Sequence, residues 1–172
     1  MDTLINDLLS FSEAGKSELK TEPVDINELV EDIKALLSLA LEEKNARIEM
    51  PILPEIRGSK VGIRQVLQNL IGNAIKYQAE GVSPKVTIDM KESEDFWEFS
   101  VSDNGIGIPQ EQHEAIFMAF KRLHRKEKYA GTGLGLAICS KIIEQHHGQM
   151  RLESEPDKGS TFYFSISKHL GR

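Results

Sequence analysis

Residues 59–77 read SKVGIRQVLQNLIGNAIKY, and they contain the clearest periodic pattern in the chain. Apolar residues recur there at intervals of three and four, which is the spacing of one face of an α-helix. This apolar face consists of Ile63, Val66, Leu67, Leu70, Ile71 and Ala74. A polar stripe runs beside it and consists of Gln65, Asn69, Asn73 and Lys76. The pattern predicts a helix after Ser59 that packs against the core and lines a cleft.

Further helices are predicted on both sides of this one. In residues 24–30, VDINELV, Asp25 suits the N-cap position and Glu28 follows three residues later. A helix should therefore run from there to about Lys44. Two more helices are expected later in the chain, one after Pro109 and one from about Gly133 to His147, where Gly148 ends it.

Alternating apolar and polar residues predict the strands. Two prolines interrupt the apolar stretch of residues 47–58, so this stretch suits a strand and an edge segment. Residues 86–90 and 97–101 alternate and should form a hairpin, and residues 162–166 should form a final strand. Because hairpins rather than regular βαβ units connect the strands, we expect an α+β fold. It should be a two-layer α/β sandwich, with a mixed, mostly antiparallel sheet covered on one face by helices.

Composition narrows the classes of function. The 172 residues suit one compact domain with a small appendage, and a formal charge of −6 argues against nucleic-acid binding. Cys139 is the only cysteine, so the chain forms no internal disulfide and fits a reducing, cytoplasmic compartment. No apolar run is long enough for a membrane span, so we expect no direct membrane insertion of this fragment. A parent protein could still carry a membrane anchor.

The segment NLIGNAIKY, residues 69–77, carries groups that suit a metal and phosphates. The amide oxygens of Asn69 and Asn73 are possible magnesium ligands, because magnesium prefers oxygen and keeps several waters when it bridges phosphates. Lys76 adds a cation, and Tyr77 adds a ring against which a base or ribose could pack. Taken alone, such a stripe is more often solvated helix surface.

The segment DNGIGI, residues 103–108, suits a purine base. The carboxylate of Asp103 could accept a hydrogen bond from an exocyclic amine. Gly105 and Gly107 would let the backbone turn tightly and let the ring approach. A plain turn is the alternative, since Asp-Asn-Gly is common turn chemistry.

The segment GTGLGL, residues 131–136, lies where an apolar helix begins, so its backbone amides could face phosphates. Its spacing differs from that of the P-loop and of the dinucleotide-binding glycine motif. The basic stretch before it predicts a mobile loop that closes over phosphates, although a solvated charge run is the commoner meaning. That stretch contains Lys121, Arg122, Arg125, Lys126 and Lys128.

Read together and in this order, the segments resemble the ATP-binding catalytic domain of sensor histidine kinases. This is a branch of the ATPase superfamily shared with gyrase and heat-shock chaperones, and the match spans about residues 24–168. NLIGNAIKY resembles the family's asparagine box, DNGIGI its first glycine box, IFMAFKRL its phenylalanine box, GTGLGLAI its second glycine box and DKGSTFYF its last box. Residues 117–138 look most like phytochrome-type and related multi-sensor kinases. Asp157 is a departure, since the last box often has glycine there.

The resemblance implies ATP and Mg²⁺ as cofactors. It implies that Asn73 and Asn69 hold the metal, that Asn69, Lys76 and Arg122 act in catalysis, and that an ATP lid runs from roughly residue 121 to 132. Asp103 would accept a hydrogen bond from adenine. The implied nucleotide-binding residues are Asn69, Asn73, Lys76, Tyr77, Asp103, Gly105, Gly107, Ile108, Arg122, Gly131, Thr132, Gly133, Leu134, Gly135, Leu136, Ser160 and Thr161.

The implied reaction transfers the terminal phosphoryl group of ATP to a histidine on a dimerisation helix, and then to an aspartate of a response regulator receiver domain. The parent protein would be a homodimer. Residues 1–22 resemble the end of the dimerisation helix and a linker, and residues 23–172 the catalytic domain; packing of the first helix on its own domain is the alternative. His113-Glu114 lacks the Arg and Pro that follow the family's acceptor histidine. We therefore expect ATP binding without autophosphorylation.

Two rival hypotheses accompany this interpretation. The first is a non-enzymatic ATP-sensing interaction module, whose initial helix docks a partner. The second is a serine kinase of the anti-sigma type or a hydrolytic ATPase. The polar stripe of the helix after Ser59 contains no carboxylate that could activate water, which argues against hydrolysis.

Overall fold

The computed structural model describes Ile5, Leu9, residues 19–118 and residues 135–170. The helices in these ranges are α1 (Ile26–Leu36), α2 (Ser38–Lys44), α3 (Lys60–Lys76) and α4 (Gly135–Gln145). The strands are β1 (Glu22–Val24), β2 (Arg47–Glu49), β3 (Ile56–Gly58), β4 (Lys85–Glu92), β5 (Phe96–Asp103), β6 (Met150–Ser154) and β7 (Ser160–Ser167). Two single 3₁₀ turns lie at Gln110–Gln112 and Ala115–Phe117.

The main sheet has five strands in the order β2-β4-β5-β7-β6. Strand β2 pairs with β4 in parallel, and the other neighbours pair antiparallel. A separate two-stranded antiparallel sheet joins β1 to β3. The predicted mixed, mostly antiparallel sheet is therefore confirmed.

The core lies between one face of the main sheet and helices α3 and α4. Helix α3 contacts β4 and β5, and α4 contacts β7. The rings of Phe99 and Phe164 stack at the centre, with 4.9 Å between their centroids. All six apolar residues predicted for the inward face of α3 are buried. On the opposite face of the sheet, side chains such as Asp89 and Arg151 are exposed, so the two-layer arrangement is confirmed.

The first predicted helix consists of two helices. Asp25 caps α1 as expected, because its Oδ1 accepts hydrogen bonds from the backbone N–H of Asn27 and Glu28, at 2.9 and 3.3 Å. The chain then bends at Leu37, where φ is −96° and ψ is 11°. This bend keeps Leu37 and Leu41 against the core. The expectation of one continuous helix was therefore wrong.

Three more features differ from the expectation. The segment after Pro109 forms two 3₁₀ turns instead of an α-helix: the His113 N–H donates to the Gln110 carbonyl oxygen at 3.1 Å and the Met118 N–H to that of Ala115 at 3.0 Å, each three residues back. Strand β6 was missed, although it alternates in sequence. Strand β1 was also missed, and the proposed domain boundary after residue 22 falls inside it.

His146 joins the end of α4 to the start of α3. Its Nδ1–H donates to the Ile142 carbonyl oxygen at 2.8 Å, and its Nε2 accepts from the Ser59 N–H at 3.0 Å. This pattern requires a neutral ring. Burial lowers the pKa of His146 below its ordinary value. Ser59 in turn caps α3, since its Oγ accepts from the Gly62 N–H at 3.1 Å.

Helix α4 ends at Gln145, and His147 two residues later adopts a left-handed conformation with φ of 57°. Gly148 donates its N–H to the Ile143 carbonyl oxygen at 3.0 Å. A Cβ on Gly148 would lie 1.7 Å from the Ser165 carbonyl oxygen, so glycine is required there by close approach to β7. The helix therefore ends two residues before the predicted end at His147.

No helix among the described residues combines the length and the apolarity that a bilayer crossing requires.

We predict that His146 makes the stability of this domain depend on pH. Because its pKa is lowered in the fold, the unfolded chain binds the extra proton more readily. The stabilisation is present above the ordinary histidine pKa of about 6.5 and is lost as pH falls below it. Urea unfolding at pH 8 and pH 5.5 measures this loss. The substitution His146→Gln should cost about 1 to 3 kcal/mol at pH 8 and should reduce the loss between the two pH values.

The matched control is His169→Gln, because the ring of His169 is exposed and bonds to Asp95 at the protein surface. The stability of the His169→Gln variant should depend on pH in the same way as that of the native chain. Equal pH dependence in the native and His146→Gln proteins would contradict the assignment of a neutral His146.

Candidate functional site

Three chain segments meet at one end of the main sheet. They are the last turns of α3, the loop of residues 103–108 after β5, and the turn of residues 155–159 between β6 and β7. The Ile106 N–H donates to the Tyr77 carbonyl oxygen at 3.1 Å, and the Asp157 N–H donates to the Ile106 carbonyl oxygen at 2.7 Å. The fold thus brings together segments that lie far apart in the sequence.

Asp103 is held by two backbone groups. Its Oδ1 accepts from the Gly105 N–H at 2.8 Å and from the Ser160 N–H at 3.2 Å. Both bonds end on the same oxygen, so Oδ2 is the atom that can accept from a ligand. Burial raises the pKa of Asp103 to about 6, and the two backbone bonds partly offset this effect. At pH 7 and above the group is an ionised acceptor.

Glycine is required at two positions of this loop by neighbouring backbone. A Cβ on Gly105 would lie 2.4 Å from the Tyr77 carbonyl oxygen. A Cβ on Gly107, where φ is 75°, would lie 1.9 Å from the Glu155 carbonyl oxygen. These glycines therefore let the loop pack between α3 and the β6–β7 turn. The sequence alone suggested only that they let a ligand approach.

The amide of Asn69 has a defined orientation. Its Nδ2 donates to the Gly135 carbonyl oxygen at 3.3 Å and lies 3.5 Å from the Cys139 Sγ. The amide oxygen also lies near the start of α4, since a Cβ on Gly135 would be 3.8 Å from the Asn69 Oδ1 and 4.0 Å from its Nδ2. Asn73 lies one turn further along the same face of α3. Cys139 is fully buried, and burial raises the pKa of its thiol to about 12, which fits the predicted role as a core residue.

The donor set fits magnesium better than a transition metal. The described residues contain no group of three His, Cys, Asp or Glu side chains that could hold a metal. Two amide oxygens on one helix face would leave several positions for phosphate oxygens and water, which is the coordination that magnesium favours. Lys76 is the last residue of the same helix, three residues after Asn73, and its Nζ is 4.8 Å from the centroid of the Tyr77 ring.

The hydroxyl groups of the last box lie on different faces of the sheet. Ser160 donates its N–H to Asp103, and its Oγ lies 2.7 Å from the Ser154 Oγ. Thr161 bonds instead to Ser102 on the alternate face, at 2.9 Å between the hydroxyl oxygens. Ser160 is thus the hydroxyl residue that the fold brings to the carboxylate of Asp103. A cavity of about 530 Å³ adjoins this point; Asp103, Ser160 and Thr161 all line it, and none of its described lining residues lies on α3.

Other predicted site residues are placed as follows. Ile108 donates its N–H to the Ser154 Oγ at 2.8 Å, so it lies beside the last box. Gly135 and Leu136 begin the described part of α4. The remaining predicted residues lie outside the described residues, as does the predicted lid; they are Arg122, Gly131, Thr132, Gly133 and Leu134.

Two important residues were not predicted as part of the site. Gln78 follows the asparagine box and Asn104 follows Asp103, and their side chains bond to each other at 3.0 Å. Asn104 was interpreted only as a turn residue. In the sequence, Gln78 directly follows Tyr77 and Asn104 directly follows Asp103, and both preceding residues were predicted for the site. This adjacency does not reveal that Gln78 and Asn104 bond to each other.

Comparison with known proteins agrees with this site. The family model described as "Histidine kinase-, DNA gyrase B-, and HSP90-like ATPase" matches residues 58–170. Phytochrome-like protein Cph1 from Synechocystis sp. is 46% identical over 166 residues, which cover 96% of this chain and 22% of Cph1. This likeness confirms the expected resemblance to phytochrome-type kinases. The chain spans about a fifth of the length of that relative.

Two solved structures share the fold. Full-length ShkA in complex with AMPPNP superposes with a TM-score of 0.80 at 31% identity, covering 95% of this chain and 35% of ShkA. Histidine kinase ThkA in complex with the response regulator protein TrrA superposes with a TM-score of 0.75 at 28% identity, covering 97% of this chain and 47% of ThkA. The chain therefore belongs to the family of histidine kinase-, DNA gyrase B- and HSP90-like ATPases, in which it is an ATP-binding catalytic domain of the histidine kinase type.

Proposed function

We propose that this domain binds Mg-ATP between α3 and the loop of residues 103–108 and transfers its terminal phosphoryl group to a histidine on a dimerisation helix. The observation that carries the proposal is the geometry of Asp103. Its carboxylate is fixed through Oδ1, which leaves Oδ2 to accept from a ligand, in a loop that the hydrogen bond between Ile106 and Tyr77 joins to the end of α3. The loop that carries the base acceptor is thus joined to the helix that carries the candidate metal ligands.

At the base end, Asp103 recognises adenine. The exocyclic amine of adenine is a donor, and Oδ2 is an acceptor that keeps its place because Oδ1 is bonded twice. Ser160, Gly105 and Gly107 support this end by holding the carboxylate and its loop. Tyr77, whose carbonyl oxygen holds the loop at Ile106, offers its ring to the base or ribose.

At the phosphate end, the side chains position charge. Asn69 and Asn73 supply oxygen ligands, and Lys76 and Arg122 supply cations to the phosphates. Bound magnesium would neutralise charge on the phosphates. Catalysis of phosphoryl transfer is mostly positioning and electrostatic stabilisation, so a constellation without a nucleophile of its own is sufficient.

The phosphoryl acceptor is proposed to lie on the dimerisation helix of a homodimeric parent protein. His146 is fully buried and both of its ring nitrogens are bonded, so it is unsuited to accept a phosphoryl group. His113 bonds through Nε2 to the Ile108 carbonyl oxygen. These contacts support the expectation that the fragment does not phosphorylate itself. Residues 1–22 are proposed to be the end of that helix and its linker.

The next acceptor is proposed to be an aspartate of a response regulator receiver domain. The complex of ThkA with a response regulator supports this partner class, since ThkA shares the fold. We also propose a cytoplasmic location, with no binding to nucleic acid. A non-enzymatic ATP-sensing module is the rival, and it shares the nucleotide site but not the phosphoryl transfer.

We predict that Asp103→Asn weakens nucleotide binding while it stabilises the fold. Asparagine can keep both backbone bonds through Oδ1, but it places a donor where Oδ2 accepts, facing the donor of adenine. Calorimetric titration with a nonhydrolysable ATP analogue and magnesium should show a loss of about tenfold or more in affinity. Removal of a buried charge with a raised pKa should add about 1 to 2 kcal/mol to the free energy of unfolding at pH 8.

Asp95→Asn is the matched control, because Asp95 is exposed and lies in the hairpin turn at the far end of β5. It should leave the affinity unchanged. Unchanged affinity in Asp103→Asn, or a loss of stability without a loss of affinity, would contradict the role of Asp103.

Nucleotide affinity of the native chain should also fall as pH decreases through about 6. The pKa of Asp103 in the free domain is about 6, and a protonated carboxyl is a poorer partner for an amine donor. Titrations between pH 8 and pH 5.5 measure this fall. The Asp103→Asn variant should lack it, and an equal fall in both proteins would assign the effect to another group.

Phosphoryl transfer should require Asn73. Labelled ATP, magnesium and a separately purified histidine-bearing dimerisation helix test the transfer. The native domain should label the supplied histidine, and Asn73→Asp should reduce the rate at least about tenfold, because a carboxylate adds repulsion next to the phosphates. The fold should persist, as judged by circular dichroism.

Gln149→Glu is the control for an added charge, since Gln149 is exposed and lies beside Ser165, well away from Asp103 along β7. It should transfer at the native rate. ATP binding without any transfer to the supplied histidine would favour the ATP-sensing module instead.

A further inference from the structure

The carbonyl groups at the end of α3 are bonded to several parts of the chain. The last carbonyls of a helix have no partner within the helix and must find one elsewhere. Here the Gln78 Nε2 donates to the Ala74 carbonyl oxygen at 2.9 Å, and the Lys44 Nζ donates to that of Ile75 at 3.0 Å. The end of α3 is therefore held by side chains as well as by backbone.

Gln78 makes a second bond that leaves the helix. Its Nε2 also donates to the Asn104 Oδ1 at 3.0 Å, so the two hydrogens of this amide serve the helix end and the loop after Asp103. Gln78 is only 8% exposed whereas Asn104 is exposed, so the link runs from the interior to the surface. We call this pair of amides the Gln78–Asn104 bridge.

Asn104 extends the bridge to a third segment. Its Oδ1 also accepts from the Lys85 N–H at 2.8 Å, and its Nδ2 donates to the Ser83 carbonyl oxygen at 3.1 Å. The start of β4 is thus tied to the same point as the loop and the helix. This multiple attachment ties the loop after Asp103 to the end of α3 and to the start of β4, whereas the Asp103 carboxylate itself is held by the N–H groups of Gly105 and Ser160.

We propose that Gln78, acting through Asn104, is a positioning residue that sets the separation between the two ends of the nucleotide site. The inference rests on the proposed function, in which α3 meets the phosphates and Asp103 meets the base. A ligand that spans both ends binds well only if their separation matches its length. Gln78 needs no contact with the ligand for this role.

A ligand that reaches only one end does not depend on that separation. Adenosine should report on the Asp103 end alone, and magnesium tripolyphosphate on the α3 end alone. A nonhydrolysable ATP analogue links the two ends, and the benefit of linkage is lost when the geometry does not suit both. The three ligands therefore distinguish a positioning role from general support of the fold.

The test uses Gln78→Met and Asn104→Ala. Methionine has a similar size to glutamine but donates no hydrogen bond, and Asn104→Ala removes the bridge from its other side. Both variants should lower the affinity for the ATP analogue about tenfold, a loss typical of a buried hydrogen bond. The affinities for adenosine and for magnesium tripolyphosphate should change by less than about twofold, as measured by NMR titration. Because Asn104 is exposed, Asn104→Ala keeps the test open if Gln78→Met fails to fold.

Asn27→Ala is the matched control. The side chain of Asn27 also clamps a loop with two bonds, to the N–H and the carbonyl oxygen of Leu53, at 2.9 and 2.8 Å. Its substitution should lower the melting temperature without changing the affinity for any of the three ligands.

Two outcomes would overturn the inference: an equal loss for all three ligands, or no loss for the ATP analogue. Failure of the native chain to bind any of the three would contradict the proposed function and the inference together. Titration of the native chain therefore distinguishes failure of the proposed function from failure of the inference about Gln78.

Discussion

The site depends on the close approach of two backbone segments, the end of α3 and the loop after β5. The hydrogen bond from the Ile106 N–H to the Tyr77 carbonyl oxygen joins them. That approach leaves no space for a Cβ on Gly105. It places the carboxylate of Asp103 at a fixed position relative to the polar stripe of α3, and a nucleotide site becomes possible because both elements are anchored in the core.

The carboxylate itself carries a cost to stability. Burial raises the pKa of Asp103 to about 6, so its ionised form at neutral pH is less favourable in the fold than in the unfolded chain. Two backbone N–H groups reduce this cost but do not remove it. A buried charge held ready for a ligand is typical of sites in which function opposes local stability.

The sequence predicted those parts of the fold that depend on local periodicity. The buried face of α3, the β4–β5 hairpin and β7 follow from the spacing of apolar residues. It did not predict the bend at Leu37 or the bonds of His146, because these depend on contacts between distant segments. His146 and Ser59 are 87 residues apart, and Gln78 and Asn104 are 26 apart. The three motifs indicated the site, whereas the bridge that positions it required the structure. The role of Arg122 stays a prediction.

The most direct test of the central claim is NMR of the domain with a nonhydrolysable ATP analogue and a small amount of Mn²⁺ in place of Mg²⁺. Paramagnetic broadening should be strongest at the side-chain amides of Asn69 and Asn73. The backbone amides of Gly105 and Ser160, which hold Asp103, should shift in the same titration. Broadening centred on another part of the domain, or shifts that spare Gly105 and Ser160, would contradict a nucleotide that joins α3 to the Asp103 loop.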